Sequence, residues 1–221
     1  TGLFAHPEKV HRLDHKGEHF ASRGPFTVPR TPQGHPVIIQ AGQSGRGRRF
    51  AGRWAEVIFA GGGPLAVQQA GYKAVKDEIA AAGRNPDQVH LCTLVHTVCA
   101  ATKSEAEDKM AYIETLPLEI DALSLLSEAL NFDFATKGMD EAFTDAEMAS
   151  IGGIQTMRDR VVQASGKKNP TTRDFITITG RGRPHGAVVG GPKEVADKLE
   201  ELFSGHGCDG FVVGATHVPG S

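Results

Sequence analysis

Between Pro36 and Glu107 the chain repeats one order: a short apolar run, a turn, then a helix start. The runs are "PVIIQ" at 36–40, "EVIFA" at 56–60 and "VHLCTLVHTVCA" at 89–100. Apolar runs bounded by turn signals, without polar alternation, mark strands buried on both faces, as in parallel sheets. The first run leads into a helix over about 44–54 that carries Phe50, Ala51 and Trp54. The second leads through Gly61-Gly62-Gly63-Pro64 into a helix over 65–82, with Val67, Ala74, Val75 and Ile79 on one face. Gly83 and Asn85-Pro86 stop that helix, and Ser104-Glu105-Ala106-Glu107 reads as the capping box of a third. Strand-helix alternation of this kind confines the fold to the α/β class.

The rhythm is framed by two different stretches. Residues 10–28 read as a hairpin with a return strand, broken at Lys16-Gly17 and Gly24-Pro25, and 30–35 as a Pro/Gly loop. From 116 to 186 a helical insertion is expected: Ile120, Leu123, Leu126 and Leu130 fall at helical spacing, and Thr144-Asp145-Ala146-Glu147 caps a second helix. "RDFITIT" at 173–179 is β-branched and strand-like, yet Asn169-Pro170-Thr171-Thr172 ahead of it resembles a helix start. Alternation then resumes. Gly191-Pro192 opens a helix bearing Val195, Leu199, Leu202 and Phe203, Gly205 ends it, and "DGFVVG" supplies a strand, with no closing helix after Gly220.

Composition excludes several partners. With 221 residues, 39% hydrophobic and a net charge of −2, the chain suits one well-buried domain and leaves no electrostatic footprint for nucleic acid. Arg46, Arg48, Arg49 and Arg53 read as a solvated helix face. Cys92, Cys99 and Cys208 lack C-x-x-C spacing and fit small buried hydrophobes in a reducing cytoplasm. No apolar run approaches the ~18 residues of a membrane span, so no membrane partner is expected. The chain starts at Thr1 without an initiator Met or signal segment, as if cut from something larger.

The loop "QAGQSGRGRRFAG" at 40–52 carries the chemistry. Glycines at 42, 45 and 47 allow tight turning and close approach, and a helix start offers unpaired N–H groups and a positive dipole end. Gly42-x-x-x-x-Gly47 nearly meets the Walker A pattern, but Arg48 and Arg49 replace its Lys and Ser/Thr, which disfavours a nucleoside triphosphate. The order G-x-x-G-x-G is not the dinucleotide fingerprint either. On the loop alone, an anion site and a turn that binds nothing both stay open.

Other candidates weigh less. His6, His11, His15 and His19 invite a metal, but Gly17 and the hairpin pattern deny them one helix face, so none is assigned. His96 lies in an apolar strand and could face the interior, although a hydrogen-bonded core histidine is the commoner outcome; His185 and His217 lie in glycine-rich loops and could line a substrate pocket. The acidic residues of 105–108, 140–147 and 194–201 read as helix first turns and solvent faces. No paired carboxylates or Ser/His/Asp set stands out, which suits cofactor-borne chemistry and leaves catalytic residues unassigned.

The stretch "HKGEHFASRGPFTVPRTPQGHPVIIQAGQSGRGRRFAGRWAEVIF" resembles flavin monooxygenases of the bacterial-luciferase superfamily, in the nitrilotriacetate, dibenzothiophene-sulfone and long-chain alkane branch. His15-x-Gly17, Gly24-Pro25, Pro32-Gln33-Gly34-x-Pro36-Val37 and Gln40-Ala41-Gly42-x-Ser44 carry the resemblance, followed by Val189-Gly190-Gly191-Pro192, Val195-Ala196-Asp197, Asp209-Gly210-Phe211 and Pro219-Gly220. It implies a helix at 171–179 and part of a (β/α)8 TIM barrel, with 37–41, 56–60, 89–100 and 210–214 as strands five to eight of a single barrel domain. Strands one to four and a closing helix are missing from this reading. The resemblance also implies FMN, with Ala41, Gly42, Gln43 and Ser44 around its phosphate; this needs backbone N–H groups and a hydroxyl but no Mg²⁺. A separate flavin reductase would supply reduced FMN. With O₂, the enzyme would insert one oxygen atom into a small organic substrate, as a homo-oligomer when complete. The rival reading is a noncatalytic half-barrel that binds phosphate, flavin or a partner chain. A half-barrel would leave open sheet edges and an apolar interior, and would be inactive alone.

Overall fold

The computed structural model describes residues 2–42, 44–180 and 186–216. Residues up to Val37 and residues from Ile38 onward form two compact units. In the first, β1 (His15–Lys16) pairs antiparallel with β2 (Ala21–Ser22). The expected return strand does not form: residues 23–28 carry no strand, and Pro25 has no N–H to give to a ladder.

The second unit is built on a parallel sheet. Strands β3 (Ile39–Gln40), β4 (Val57–Ala60), β5 (His90–Cys99) and β7 (Gly210–Gly214) lie in the order β3-β4-β5-β7, every neighbouring pair parallel. Helices α1 (Gly45–Trp54), α2 (Leu65–Ala81) and α3 (Lys103–Thr115) follow β3, β4 and β5 in turn. A short strand absent from the sequence reading, β6 (Val188–Gly190), runs parallel to Thr97–Cys99 of β5 and leads into α8 (Pro192–Ser204). It was missed because three residues hold too little periodicity to register.

One face of this sheet is the core. Ile58, Ala60, Leu91 and Val95 pack with Ala51 of α1, Val75 and Ile79 of α2, and Leu202 of α8. Successive strand residues point to opposite faces, so Ile39, Val57, Phe59, Leu94, His96 and Val212 share the other face. That face is open: Ile39 is 66% exposed and Val212 39%. The reading of 36–40 as doubly buried is therefore corrected; β3 pairs with β4 alone and stands at the sheet edge.

The helices between α3 and β6 have a core of their own. Helices α4 (Glu119–Leu130), α5 (Asp145–Ser150), α6 (Gln155–Ser165) and α7 (Thr172–Thr179) enclose Leu126, Leu130, Phe134, Phe143, Ile151, Val161 and Phe175. Phe132, Phe134, Phe143 and Phe175 meet edge to face with centroids 5.1 to 5.5 Å apart, the favoured geometry for aromatic quadrupoles. The ambiguous segment 173–179 is helical because Thr171 and Asp174 form a capping box. β-Branched propensity yields there to the cap and to burial of Phe175.

Three details correct the sequence reading. The third helix is capped by Thr102 with Glu105, two residues before the expected Ser104, because Thr102-Lys103-Ser104-Glu105 satisfies the same S/T-x-x-E pattern. On α2 the buried line is Gln68, Val75 and Ile79, while Val67 is exposed. Cys208 is buried, Cys92 half-buried and Cys99 exposed, so Cys99 is no core hydrophobe.

Candidate functional site

Because β3, β4, β5 and β7 are parallel, the loops after them emerge at one end of the sheet. The loop 41–44 is among them. Ser44 is the N-cap of α1: its backbone is extended, and its Oγ accepts a hydrogen bond from Gly47 N at 3.1 Å. That satisfies one N–H of the first turn and leaves those of Gly45 and Arg46 without an intrahelical acceptor. The Ser44 hydroxyl proton meets no acceptor among the described residues, and Ser44 is exposed. No acidic residue stands in the first turn of α1, so nothing there opposes an anion.

The loop is folded tightly onto the helix it precedes. A Cβ on Gly47 would sit 2.7 Å from Gly42 O and 3.1 Å from Gly42 Cα, so only glycine allows this approach. Gln40 lies on the core face beside Ile58 and tucks beneath the loop; its buried Oε1 meets no partner among the described residues. A glycine cradle, a free hydroxyl and N–H groups at a helix tip fit a phosphate dianion. Ala41, Gly42 and Ser44 are thus in one loop at the strand ends, whereas Gln43 lies outside the described residues.

A second glycine loop, 61–64, follows β4 at the same end of the sheet. A buried polar pair that the sequence reading missed holds it. Gln68, 7% exposed, donates to Gly63 O at 2.7 Å and accepts from the fully buried Thr93 Oγ1 at 3.0 Å. The signal was present as a threonine at a core-facing position of β5, between Leu91 and Val95.

At the opposite end of the strands stands a structural network. Asp209 accepts from Leu91 N at 2.9 Å and from the Tyr72 hydroxyl at 2.7 Å, and pairs with Lys76 Nζ at 2.9 Å. Burial raises the Asp209 carboxyl, but the hydrogen bonds from Leu91 N–H, Lys76 and Tyr72 outweigh it and hold the pKa below the usual range. Burial first, then Asp209, push the Tyr72 phenol up to about 12. Burial likewise raises the Cys92 and Cys208 thiols, which disfavours their thiolate forms. Residues at the N-terminal ends of barrel-type strands serve stability.

The remaining candidates disperse. His6, His11, His15 and His19 are exposed, and among the described residues no three His, Cys, Asp or Glu side chains gather as metal ligands. His185, His217 and Pro219-Gly220 lie outside the described residues. Among the described residues no helix is long and apolar enough to cross a membrane.

A parallel sheet flanked by helices, with a glycine-rich, helix-capping loop at its C-terminal end, defines an α/β fold. The chain belongs to the luciferase-like monooxygenase family, whose family model matches residues 3–209. It is 38% identical to dibenzothiophene-sulfone monooxygenase of Rhodococcus erythropolis over all of its own length and 49% of that enzyme. It is 34% identical to nitrilotriacetate monooxygenase component A of Aminobacter aminovorans, again over its full length and 49% of the relative. Among solved structures, riboflavin lyase with modified FMN and its substrate riboflavin superposes with a TM-score of 0.75 at 31% identity, covering 100% of this chain and 47% of that one. The chain thus spans about half the length of the curated relatives it matches.

Proposed function

We propose that this chain forms the C-terminal half of a (β/α)8 barrel in a monooxygenase that uses reduced FMN and O₂ to place one oxygen atom in a small organic substrate. In this reading β3, β4, β5 and β7 are barrel strands five to eight, and residues 116–186 are an insertion before the last strand-helix elements. The observation that carries it is Gly42 and the α1 N-cap Ser44, which follow β3 where the parallel strands end. Active sites of such barrels lie at that end.

Ala41, Gly42, Gln43 and Ser44 hold the FMN phosphate, through backbone N–H groups and the Ser44 hydroxyl. Gln68 and Thr93 keep the neighbouring loop 61–64 in place. Apolar side chains on the open face, Phe59, Leu94 and Val212, form a wall that orients a flat ring and excludes water. Bound reduced FMN supplies the electrons that activate O₂, and the chain supplies binding, orientation and dryness. A relative named as component A supports a second protein component, which we assign to a flavin reductase. A homo-oligomeric assembly of the complete protein belongs to the same reading. The relatives named above act as monooxygenases or on a flavin, which favours catalysis over a noncatalytic module.

Fluorescence titration of the complete protein with FMN and with riboflavin tests the site. FMN is expected to bind at least about tenfold more tightly, the worth of a charge-assisted hydrogen bond. Equal affinities would remove the phosphate from this loop.

A further inference from the structure

The parallel register places His96 on the open face of the sheet with Leu94 and Val212. Its ring lies over Gly214, its partner on β7. A Cβ at that position would come within 2.5 Å of His96 Cε1 and 2.6 Å of Nδ1, so the glycine makes room for the imidazole. Nδ1 faces Gly214 O at 3.3 Å; a carbonyl can only accept, so Nδ1 is the donor, and in the tautomer with its proton there Nε2 is an acceptor. Nε2 meets no hydrogen-bond partner among the described residues, and the side chain is half-buried. A histidine held by one nitrogen and open at the other, on an otherwise apolar wall, is arranged to receive a ligand.

Its position says which ligand. β5 runs past the end of β4, where Ala60 pairs with Thr93, so His96 projects three residues, about 10 Å, beyond that level. Only β4 lies between β5 and β3, so His96 stands about 10 Å across the sheet from the strand that leads into loop 41–44. The wall between carries Phe59 and Leu94. A ligand with its phosphate at Ser44 would run its chain and ring along this wall toward Nε2. We propose that His96 Nε2 accepts a hydrogen bond from a ring N–H of the flavin held by loop 41–44, a role that rests on the FMN reading above.

Carbethoxylation of the complete protein, followed residue by residue by mass spectrometry, tests this without turnover. Without ligand His96 should react; saturating FMN should slow it at least fivefold, while inorganic phosphate should not. His206, exposed on the connection before β7, should react equally under all conditions. His96→Gln should weaken FMN binding about five- to tenfold, as loss of one neutral hydrogen bond does, and leave unfolding by urea little changed. FMN binding without protection of His96 overturns the proposal alone. Failure to bind FMN overturns the flavin reading and this proposal together. A His96 that resists the reagent without ligand is walled off from the site and also overturns the proposal.

Discussion

Ser44 serves α1 and the proposed ligand with one hydroxyl: its oxygen accepts from Gly47 N, and its proton is left for a phosphate. Replacing it with Ala removes both. Helix capping is worth about 1 kcal/mol, and the charge-assisted hydrogen bond to phosphate about 1.5 to 3 kcal/mol. Ser44→Ala in the complete protein should therefore weaken FMN by the larger amount and riboflavin far less; equal losses in parallel titrations would refute the phosphate contact. Asp209 gives a pH prediction. Its folded pKa is depressed, so its contribution is fully present above the unfolded value of about 3.9 and is lost as pH falls through the folded one. Asp209→Asn should cost about 1.5 to 3 kcal/mol at pH 7, and the deficit should shrink on acidification. Urea unfolding of both proteins from pH 7 to 3 checks this; a deficit constant with pH would mean the charge contributes nothing. Asp209 was legible only as part of a strand motif, because its partners Tyr72 and Lys76 stand more than 130 residues away.

Helices α1 and α2 pack through a backbone contact. A Cβ on Gly52 would lie 2.7 Å from Glu78 O, and Arg84 donates to Gly52 O at 3.1 Å across the same junction. Two effects of Gly52→Ala compete. Alanine gains about 1 kcal/mol of helix propensity, whereas forcing the helices apart costs about 1 to 3 kcal/mol. The clash is with backbone, which cannot swing aside, so net destabilisation is expected in urea unfolding; a more stable variant would show that the helices are less closely packed. Element by element, the helices were readable where caps and stops are local. Thr144 with Glu147, and Gly191-Pro192, begin helices as their sequences indicate. Faces were less readable. Phe50, Trp54 and Phe203 lie on helices as expected yet are 54 to 58% exposed, since which side of a helix is covered depends on what packs there.

For the whole molecule, the sheet has one covered face and one open face. The core side buries Ile58, Leu91 and Val95 under three helices, while Ile39 and Val212 stand in solvent. An apolar face of this kind invites association. Residues 1–221 alone should therefore show no substrate-dependent O₂ consumption with reduced FMN above the flavin background, and should self-associate in sedimentation or light scattering. Substrate-dependent turnover by the isolated chain would contradict the half-barrel reading.

The chain's own order of apolar runs, turns and caps determined the α/β alternation, the parallel sheet, the helices between 119 and 179 and the position of the glycine-rich turn between β3 and α1. These follow from short-range chemistry: turn residues, capping side chains and hydrophobic runs act within a few residues of where they occur. The motif at 40–44 was legible for the same reason. Tertiary structure alone decided that Thr93 and Gln68 lock the neighbouring loop, that Asp209 ties β5 and β7 together with α2, and that His96 lies over Gly214. Each depends on residues far apart in the chain meeting at hydrogen-bond or contact distance. Sheet register sets that distance, and a single sequence does not encode it locally.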